Sequence, residues 1–324
     1  MQKYYPDNFE QKIGFDRIRE MLHQKCLSNM GHEWVEEMHF KDDFDNISRE
    51  LGETDEFCRI VREFDHFPSD HFFDLRPALE KIRIEGRFLE VQELFDMKRS
   101  LESIRSIVLF FSKQPQEIFP LLNAKTKNVQ LFPYIYDRID SIINKFGKIR
   151  DNATPELGRI RNDILSKQAS MSKRLHAILK QAQKDGLVEE DATVSIRDGR
   201  AVIPIMAGNK RKLKGIIYDE SSTGKTSYVE ATEIVEMNNE IRELEYAERR
   251  EIVRILTDFS NDIRPYLDDL FYSYNFLGEI DFIRSKALLA VEFSAIKPDF
   301  QANPVIDWFQ AIHPLLMKTL KREK

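Results

Sequence analysis

Lys210, Arg211, Lys212 and Lys214 form the densest positive charge of the chain, flanked by Gly208 and Gly215. Long cationic side chains at a glycine-flanked hairpin tip, as this stretch reads, can approach a phosphate backbone closely, and each neutralised phosphate adds affinity that depends on salt and not on base sequence. The competing reading is a solvated turn, since a charge run often signifies only that. Neighbouring cations favour phosphate binding. Arg197, Arg200 and Lys225 lie close by in sequence, and Lys173, Arg174, Lys180 and Lys184 precede them on a predicted helix. The chain carries a net charge of -6, yet residues 148–184 hold nine cations against three anions. Residues 148–225 sum to +6, which leaves -12 for the rest. Such polarity aims one region at polyanions and keeps the other away from them.

Other motifs carry less. Gly224-Lys225-Thr226 has the ending of a phosphate-binding loop, but the first glycine of that pattern falls on Asp219, which would set an anion in the phosphate nest. The segment therefore reads as a hairpin turn. His66 and His71 each follow an aspartate, but Pro68 interrupts any helix that could align them on a metal, so they read as a polar loop. His176 reads as a polar-face or DNA-proximal residue and not as a catalyst, and no nucleophile with a base can be picked out. Phe88, Trp34, Trp308 and Phe72-Phe73 read as core or helix-packing residues. Cys26 and Cys58 are too few for a disulfide framework or a four-thiolate site and are expected to be free thiols.

Glycine and proline place the elements that must position the cations. Thr154, Pro155 and Glu156 form a helix start, and apolar residues recur at three and four positions as far as Lys184, with a phase slip near Gln168. A second such stretch runs from Thr232 to Ile263. Each seam is too narrow to stand alone, which predicts an antiparallel pair. Between them the period changes to two over Val194–Arg197, Ala201–Met206, Leu213–Tyr218 and Ser227–Val229, predicting a small antiparallel meander. Pro204 cannot donate to a ladder, so its strand should lie at an edge or carry a bulge. Helical periodicity over 15–38, 45–64, 75–111, 134–149 and 266–295 predicts a bundle. The fold class is mainly α: a helical core bundle with a long antiparallel two-helix lever arm carrying a small antiparallel β clamp at its tip. The expected domains are a core over 1–153, an outgoing lever over 154–192, a clamp tip over 193–231, a returning lever over 232–264, and further core helices over 265–324.

A chain of 324 residues, 42% hydrophobic and 32% charged, exceeds the ~150 residues of a single typical domain and can bury a real core. Apolar runs such as 107–111 fall far short of the ~20 residues of a bilayer span, and the N-terminus has no signal-peptide profile. A cytoplasmic location without membrane contact is expected.

The strings DNATPELGRIRNDI (151–164), VSIRDGRAVIPI (194–205), LKGIIYDESSTGKTSYVEA (213–231) and IVEMNNEIRELEYAERREIVRIL (234–256) resemble the lever and clamp region of the MutS family, in its second bacterial branch, MutS-II. The resemblance extends back through IGFDRIREML (13–22) and LRPALEKIRIEGRFLEVQELFDMKRSLESI (75–104), and forward to HPLL at 313–316, covering nearly the whole chain. It implies a core, levers and a clamp that embraces DNA, with the ATPase domain that HPLL introduces in the family, and an occasional small nuclease domain, lying beyond residue 324. ATP and magnesium would belong there, and this chain would be no enzyme and hold no cofactor or metal. The family's mismatch-reading domain would be absent. Phe88-Leu89-Glu90 has the letters of that domain's wedge but is expected inside a bundle helix. Ala201, Tyr218, Lys225 and Ala231 depart from the family's usual residues.

The resulting expectation is a non-catalytic clamp and lever module acting on branched or recombination-intermediate DNA, in a parent protein that dimerises and moves with ATP. One alternative is that the same arm grips structured RNA on stalled ribosomes. Another is a structural coiled-coil module, which would need an unbroken heptad seam where both seams here slip.

Overall fold

The computed structural model describes residue 6, residues 8–303 and residues 305–322. It is mainly helical and divides into two compact units, Met1–Asp140 with Phe259–Lys324, and Ser141–Asp258. The helices are α1 Phe9–Ile13, α2 Phe15–His23, α3 Asn29–Glu36, α4 Phe44–Glu63, α5 Arg76–Lys81, α6 Val91–Ser112, α7 Pro120–Thr126, α8 Pro133–Ile142, α9 Pro155–Lys184, α10 Thr232–Ile263, α11 Leu267–Glu292 and α12 Pro314–Arg322. Strands β1 Ser195–Arg197, β2 Arg200–Met206, β3 Gly215–Glu220 and β4 Thr226–Ala231 fall between α9 and α10. No described helix is long and apolar enough to cross a membrane.

The first unit is a bundle around α11. Leu270, Tyr274, Leu277, Ile280 and Ala287 of that helix are fully buried, and over residues 276–291 no position is exposed on any face. Such a helix must lie at the centre of its unit. α3 and α4 pack on it, and α3 approaches so closely that a Cβ at Gly278 would stand 2.6 Å from Met30 Cβ. Asp281, on the same helix, is fully buried. Its carboxylate accepts the N–H groups of Leu27 (2.8 Å) and Ser28 (2.9 Å) and the Ser28 hydroxyl (2.8 Å), while the Ser28 hydroxyl oxygen caps α3 by accepting the Gly31 N–H at 3.0 Å. The central helix thus holds the start of α3 through one side chain.

Several stretches read as continuous helix are divided, and each break has a local cause. Gly86 takes a left-handed conformation (φ 82°) between α5 and α6, and Glu90 opens α6 through a capping box with Glu93. Phe88-Leu89-Glu90 therefore lies in a helix-to-helix link and not inside a helix; the Leu89 N–H is bonded to Ser260 Oγ at 2.9 Å, and the Glu90 side chain serves the cap. α8 stops at Ile142 because Asn144 Oδ1 accepts the Phe146 and Lys148 N–H groups, closing a turn under the Ile143–Ile149 bridge. Phe72 joins the core, but Trp308 does not: it is 80% exposed, in a segment without helix or strand. Cys26 and Cys58 are both free, and Pro304 lies outside the described residues.

In the second unit, Thr154 caps α9 by accepting the Leu157 N–H (3.1 Å), with Pro155 at the first helical position. α9 and α10 pair antiparallel. Thr154 donates to Glu251 (2.6 Å), Arg161 to Glu248 (2.7 Å), Lys167 to Glu240 and Arg174 to Glu233. Leu157, Ile160 and Ile164 of α9 are buried, then no residue until Leu175 is fully buried; the slip in the apolar pattern falls in that gap. Beyond it, Leu175, Leu179 and Ala182 share a core with Ala201, Ile203, Ile205 and Val229 of the sheet and Ile234 of α10.

The strand order is β1-β2-β4-β3, all neighbours antiparallel. This is not the expected meander: β4 inserts between β2 and β3, which consequently run parallel. Pro204 sits in an interior strand, yet it lacks a donor at no cost. The Met206 N–H points away from β4, to Leu187 O at 3.3 Å. Backbone groups alternate sides, so Pro204 faces that same side, where the β1 pairing has already ended at Val202. β3 carries a bulge at Tyr218 and begins at Gly215, where a Cβ would meet Glu230 O at 2.3 Å. Only glycine fits there.

Burial pushes the Asp281 carboxyl above its ordinary range, outweighing its hydrogen bonds. The folded protein thus holds this proton to higher pH than the unfolded chain, and the associated stability declines as pH rises from about 3.9 through the folded value. Asp281→Ala, which strands two buried N–H donors, is expected to destabilise by about 3 kcal/mol; Asp281→Asn is expected to cost less and to lack that decline. Urea denaturation across mildly acidic to neutral pH checks both, and an alanine variant as stable as the parent would remove Asp281 from this role.

Candidate nucleic-acid interface

Because β2 and β3 are parallel with β4 between them, residues 207–214 must cross the sheet from one end to the other. The crossover starts with a 3-10 turn at Ala207–Asn209. There the Ala207 N–H donates to Lys225 O (2.9 Å) and Asn209 Nδ2 to Gly186 O (3.2 Å). It ends where Lys214 O accepts the N–H of Thr232, the first residue of α10, at 3.0 Å. Leu213 packs on the core shared by α9 and the sheet. The four cations are thus strung along a pinned crossover, which corrects the expectation of a hairpin tip.

The predicted cations divide into those held by the protein and those left open. Arg200 donates to both Glu230 oxygens (3.0 and 2.8 Å), and Asn238 donates to the same carboxylate at 2.6 Å. Glu230 is 1% exposed, so Arg200 neutralises a buried charge and is a structural residue. Arg197 lies over the Tyr228 ring (4.3 Å) and 3.9 Å from Asp219. Lys210 pairs with Glu220 at 3.0 Å and holds that carboxyl below its ordinary range. Arg174 pairs with Glu233 between the helices. By contrast, Arg211, Lys212, Lys214 and Lys225 are exposed, and their side chains bond to no partner among the described residues.

Lys173, Lys180 and Lys184 are exposed in the same way. Their spacing of seven and four residues aligns them on one helix face. That face is opposite the one on which Leu175, Leu179 and Ala182 meet the sheet. The structure therefore presents two open cationic groups, one along the crossover and its neighbouring turn and one down the outer face of α9.

Sequence reasoning missed two further arginines, both engaged within the protein: Arg242 donates to Asp198 O at 3.3 Å and Arg249 lies over the Tyr246 ring at 5.9 Å. Arg242, Tyr246 and Arg249 of α10 line a cleft of about 600 Å³ with Ile196, Asp198 and Gly199 at the β1–β2 turn. Tyr246 is 55% and Ile196 74% exposed. The spacing of four and three residues along α10 was the available signal. The Glu230–Asn238 contact had none, since the two side chains meet only once the sheet is folded.

The remaining motifs resolve simply. Gly224-Lys225-Thr226 closes the β3–β4 hairpin: Gly224 has φ 66°, its N–H donates to Ser221 O (2.7 Å), and Ser221 Oγ accepts the Thr226 N–H (3.0 Å). His71 contacts Arg99 at 3.1 Å and stacks on Phe73, His176 bonds to Ser172 O at 2.7 Å, and no metal-binding group of three acidic, histidine or cysteine side chains occurs among the described residues.

What these features define is a mainly helical chain whose second unit couples a paired-helix rod to a small sheet with a cationic crossover. No family model matches the chain. It is nevertheless similar over 94% of its length to proteins named Endonuclease MutS2. That of Geobacillus sp. (strain WCH70) is 30% identical over 306 residues, that of Alkaliphilus oremlandii 31% over 305, and that of Symbiobacterium thermophilum 30% over 304. The chain spans 38–39% of the length of these relatives.

Removing Arg200 would leave Glu230 buried with Asn238 alone. Arg200→Ala is expected to destabilise the second unit by about 3 kcal/mol, while Lys212→Ala leaves thermal unfolding unchanged within about 0.5 kcal/mol. Equal melting curves for the two variants would contradict this division of roles.

Proposed function

We propose that this chain is a non-catalytic nucleic-acid-binding module, the core, lever and clamp portion of a MutS-II-like protein, and that it grips DNA by its phosphates. The observation that carries this reading is the set of exposed cations without internal partners, Arg211, Lys212 and Lys214 on a crossover pinned at both ends and Lys225 in the neighbouring hairpin turn. A cation held in place by backbone anchoring loses little conformational freedom on meeting a phosphate, and one without an intramolecular carboxylate has no pair to break. Lys173, Lys180 and Lys184 extend the positive field along α9. The contacts read backbone charge and not bases, which suits branched or recombination-intermediate DNA as well as linear duplex.

In this reading Arg197, Arg200, Arg174 and Lys210 support the site more than they touch the ligand. The ATP- and magnesium-dependent chemistry of a MutS-II protein, and the nuclease activity in its relatives' name, are assigned to the part of those proteins that this chain does not match. Dimerisation of the longer protein would bring two such modules to one DNA.

Titration of a labelled four-way junction and a linear duplex at several salt concentrations tests the proposal. Replacing Arg211, Lys212 and Lys214 together by glutamate is expected to weaken binding at least about tenfold. It should also flatten the slope of log affinity against log salt by roughly 2.7, about 0.9 for each lost phosphate contact. Lys210→Ala is expected to have a small effect. Unchanged affinity and slope in the triple variant would exclude the crossover as the contact.

A further inference from the structure

In the helical unit, α4, the last turns of α11 and residues 295–298 line a cavity of about 320 Å³ that is partly open to solvent. Its walls are mainly apolar, with Ile47, Leu51, Cys58, Ala290, Ile296 and Pro298 among them. Arg62, Lys286 and Lys297 also line it, with Glu50 and Asp55 as the acidic members. Lys286, Ile47, Glu50 and Leu51 line a second space of about 820 Å³ as well, whose other walls include Phe15, Trp34, Phe40 and Phe282. Lys286 therefore stands at the boundary of two largely apolar spaces.

Lys286 is half-buried, and burial pulls its ammonium below its ordinary range. It lies 4.5 Å from the centre of the Phe282 ring and makes no hydrogen bond or ion pair among the described residues. The carboxylates around it already have other cations. Glu50 is bonded to Lys41, Glu53 to Lys125 at 2.9 Å with Arg49 at 3.8 Å, and Glu279 to Lys125 at 2.6 Å. Lys286 is the surplus charge of this cluster. A desolvated cation without a contacting anion is unfavourable unless something compensates it, and Arg62 and Lys297 add to the positive side of the smaller cavity.

We propose that the cavity between α4 and α11 is a binding site for a medium-chain carboxylate, with its carboxylate on the Lys286 amine and its hydrocarbon tail between the two helices. The volume suits this class: at about 30 Å³ for each water-sized group, it accommodates roughly ten non-hydrogen atoms, the size of octanoate. A largely apolar cleft with a few convergent polar groups is the usual form of a small-molecule site. Binding would place an anion beside the unpartnered cation and remove the tail from water, and neither gain alone accounts for the combination of walls and charges.

Calorimetric titration of the full chain with octanoate tests this directly, with 1-octanol as the uncharged probe of equal chain length. Saturable one-to-one binding is expected, weaker by at least about tenfold for octanol and for Lys286→Met, the loss of one charge-assisted contact. Ala290→Phe, which fills the cavity without altering charge, is expected to abolish binding. Absence of saturable binding, equal binding of octanoate and octanol, or binding unaffected by Ala290→Phe would overturn the proposal. The two-probe comparison on the unaltered chain decides the matter even where a variant fails to fold. The site involves none of the residues proposed to meet DNA, so the two proposals stand or fall separately.

Discussion

The second unit depends on one constraint: neither α9 nor α10 can bury its narrow apolar stripe alone. Paired antiparallel, the two seams close on each other, and the cross-helix contacts Arg161–Glu248, Lys167–Glu240 and Arg174–Glu233 are satisfied together in one register. Exposed ion pairs of this kind contribute little stability each, but a slip would separate all three and bring Leu157 and Ile160 out of the core. The register also fixes where the last turns of α9 lie, and these turns supply Leu175, Leu179 and Ala182 to the sheet. Without the helix pair, the sheet would have no second layer.

From that follows the placing of charge. A sheet seated on α9 must expose its other elements, and β3 is exposed along its whole length. The crossover that feeds β3 is anchored at Ala207, Asn209, Leu213 and Lys214 by backbone bonds, an amide and a core contact, leaving the side chains of Arg211, Lys212 and Lys214 free of structural duty. Charges in the same unit with structural duty are identifiable by what they touch: Arg200 on buried Glu230, Arg174 on Glu233, Lys210 on Glu220. The open cations and the paired ones therefore differ in partner and not in residue type.

Much of this was legible from sequence because local rules and tertiary packing agree. Thr154-Pro155 announced the start of α9, the apolar seams announced a helix pair, and the change of period announced a sheet in the insert. The failures have physical reasons too. Strand order is a non-local property, and nothing in the spacing of four short strands distinguishes a meander from an order in which β4 inserts between β2 and β3. Hence the crossover was mistaken for a hairpin tip. Pro204 lies in an interior strand and not at the expected edge or bulge, because the early end of β1 leaves the side it faces unpaired, which no single-strand rule contains. Arg200 looked like a ligand-facing cation because its partner Glu230 lies thirty residues away, and the break between α5 and α6 was hidden by periodicity that runs on through Gly86.

The partnerless cations of the second unit are the surface proposed to meet nucleic acid. Lysine-acylation footprinting of the full chain, with and without saturating duplex DNA and read by mass spectrometry, tests it most directly. The account predicts protection of Lys212, Lys214 and Lys225, with Lys173, Lys180 and Lys184 following, and no change at Lys81, Lys98 or Lys125 of the helical bundle. Protection confined to the bundle lysines, with the crossover as reactive as in the free chain, would contradict it.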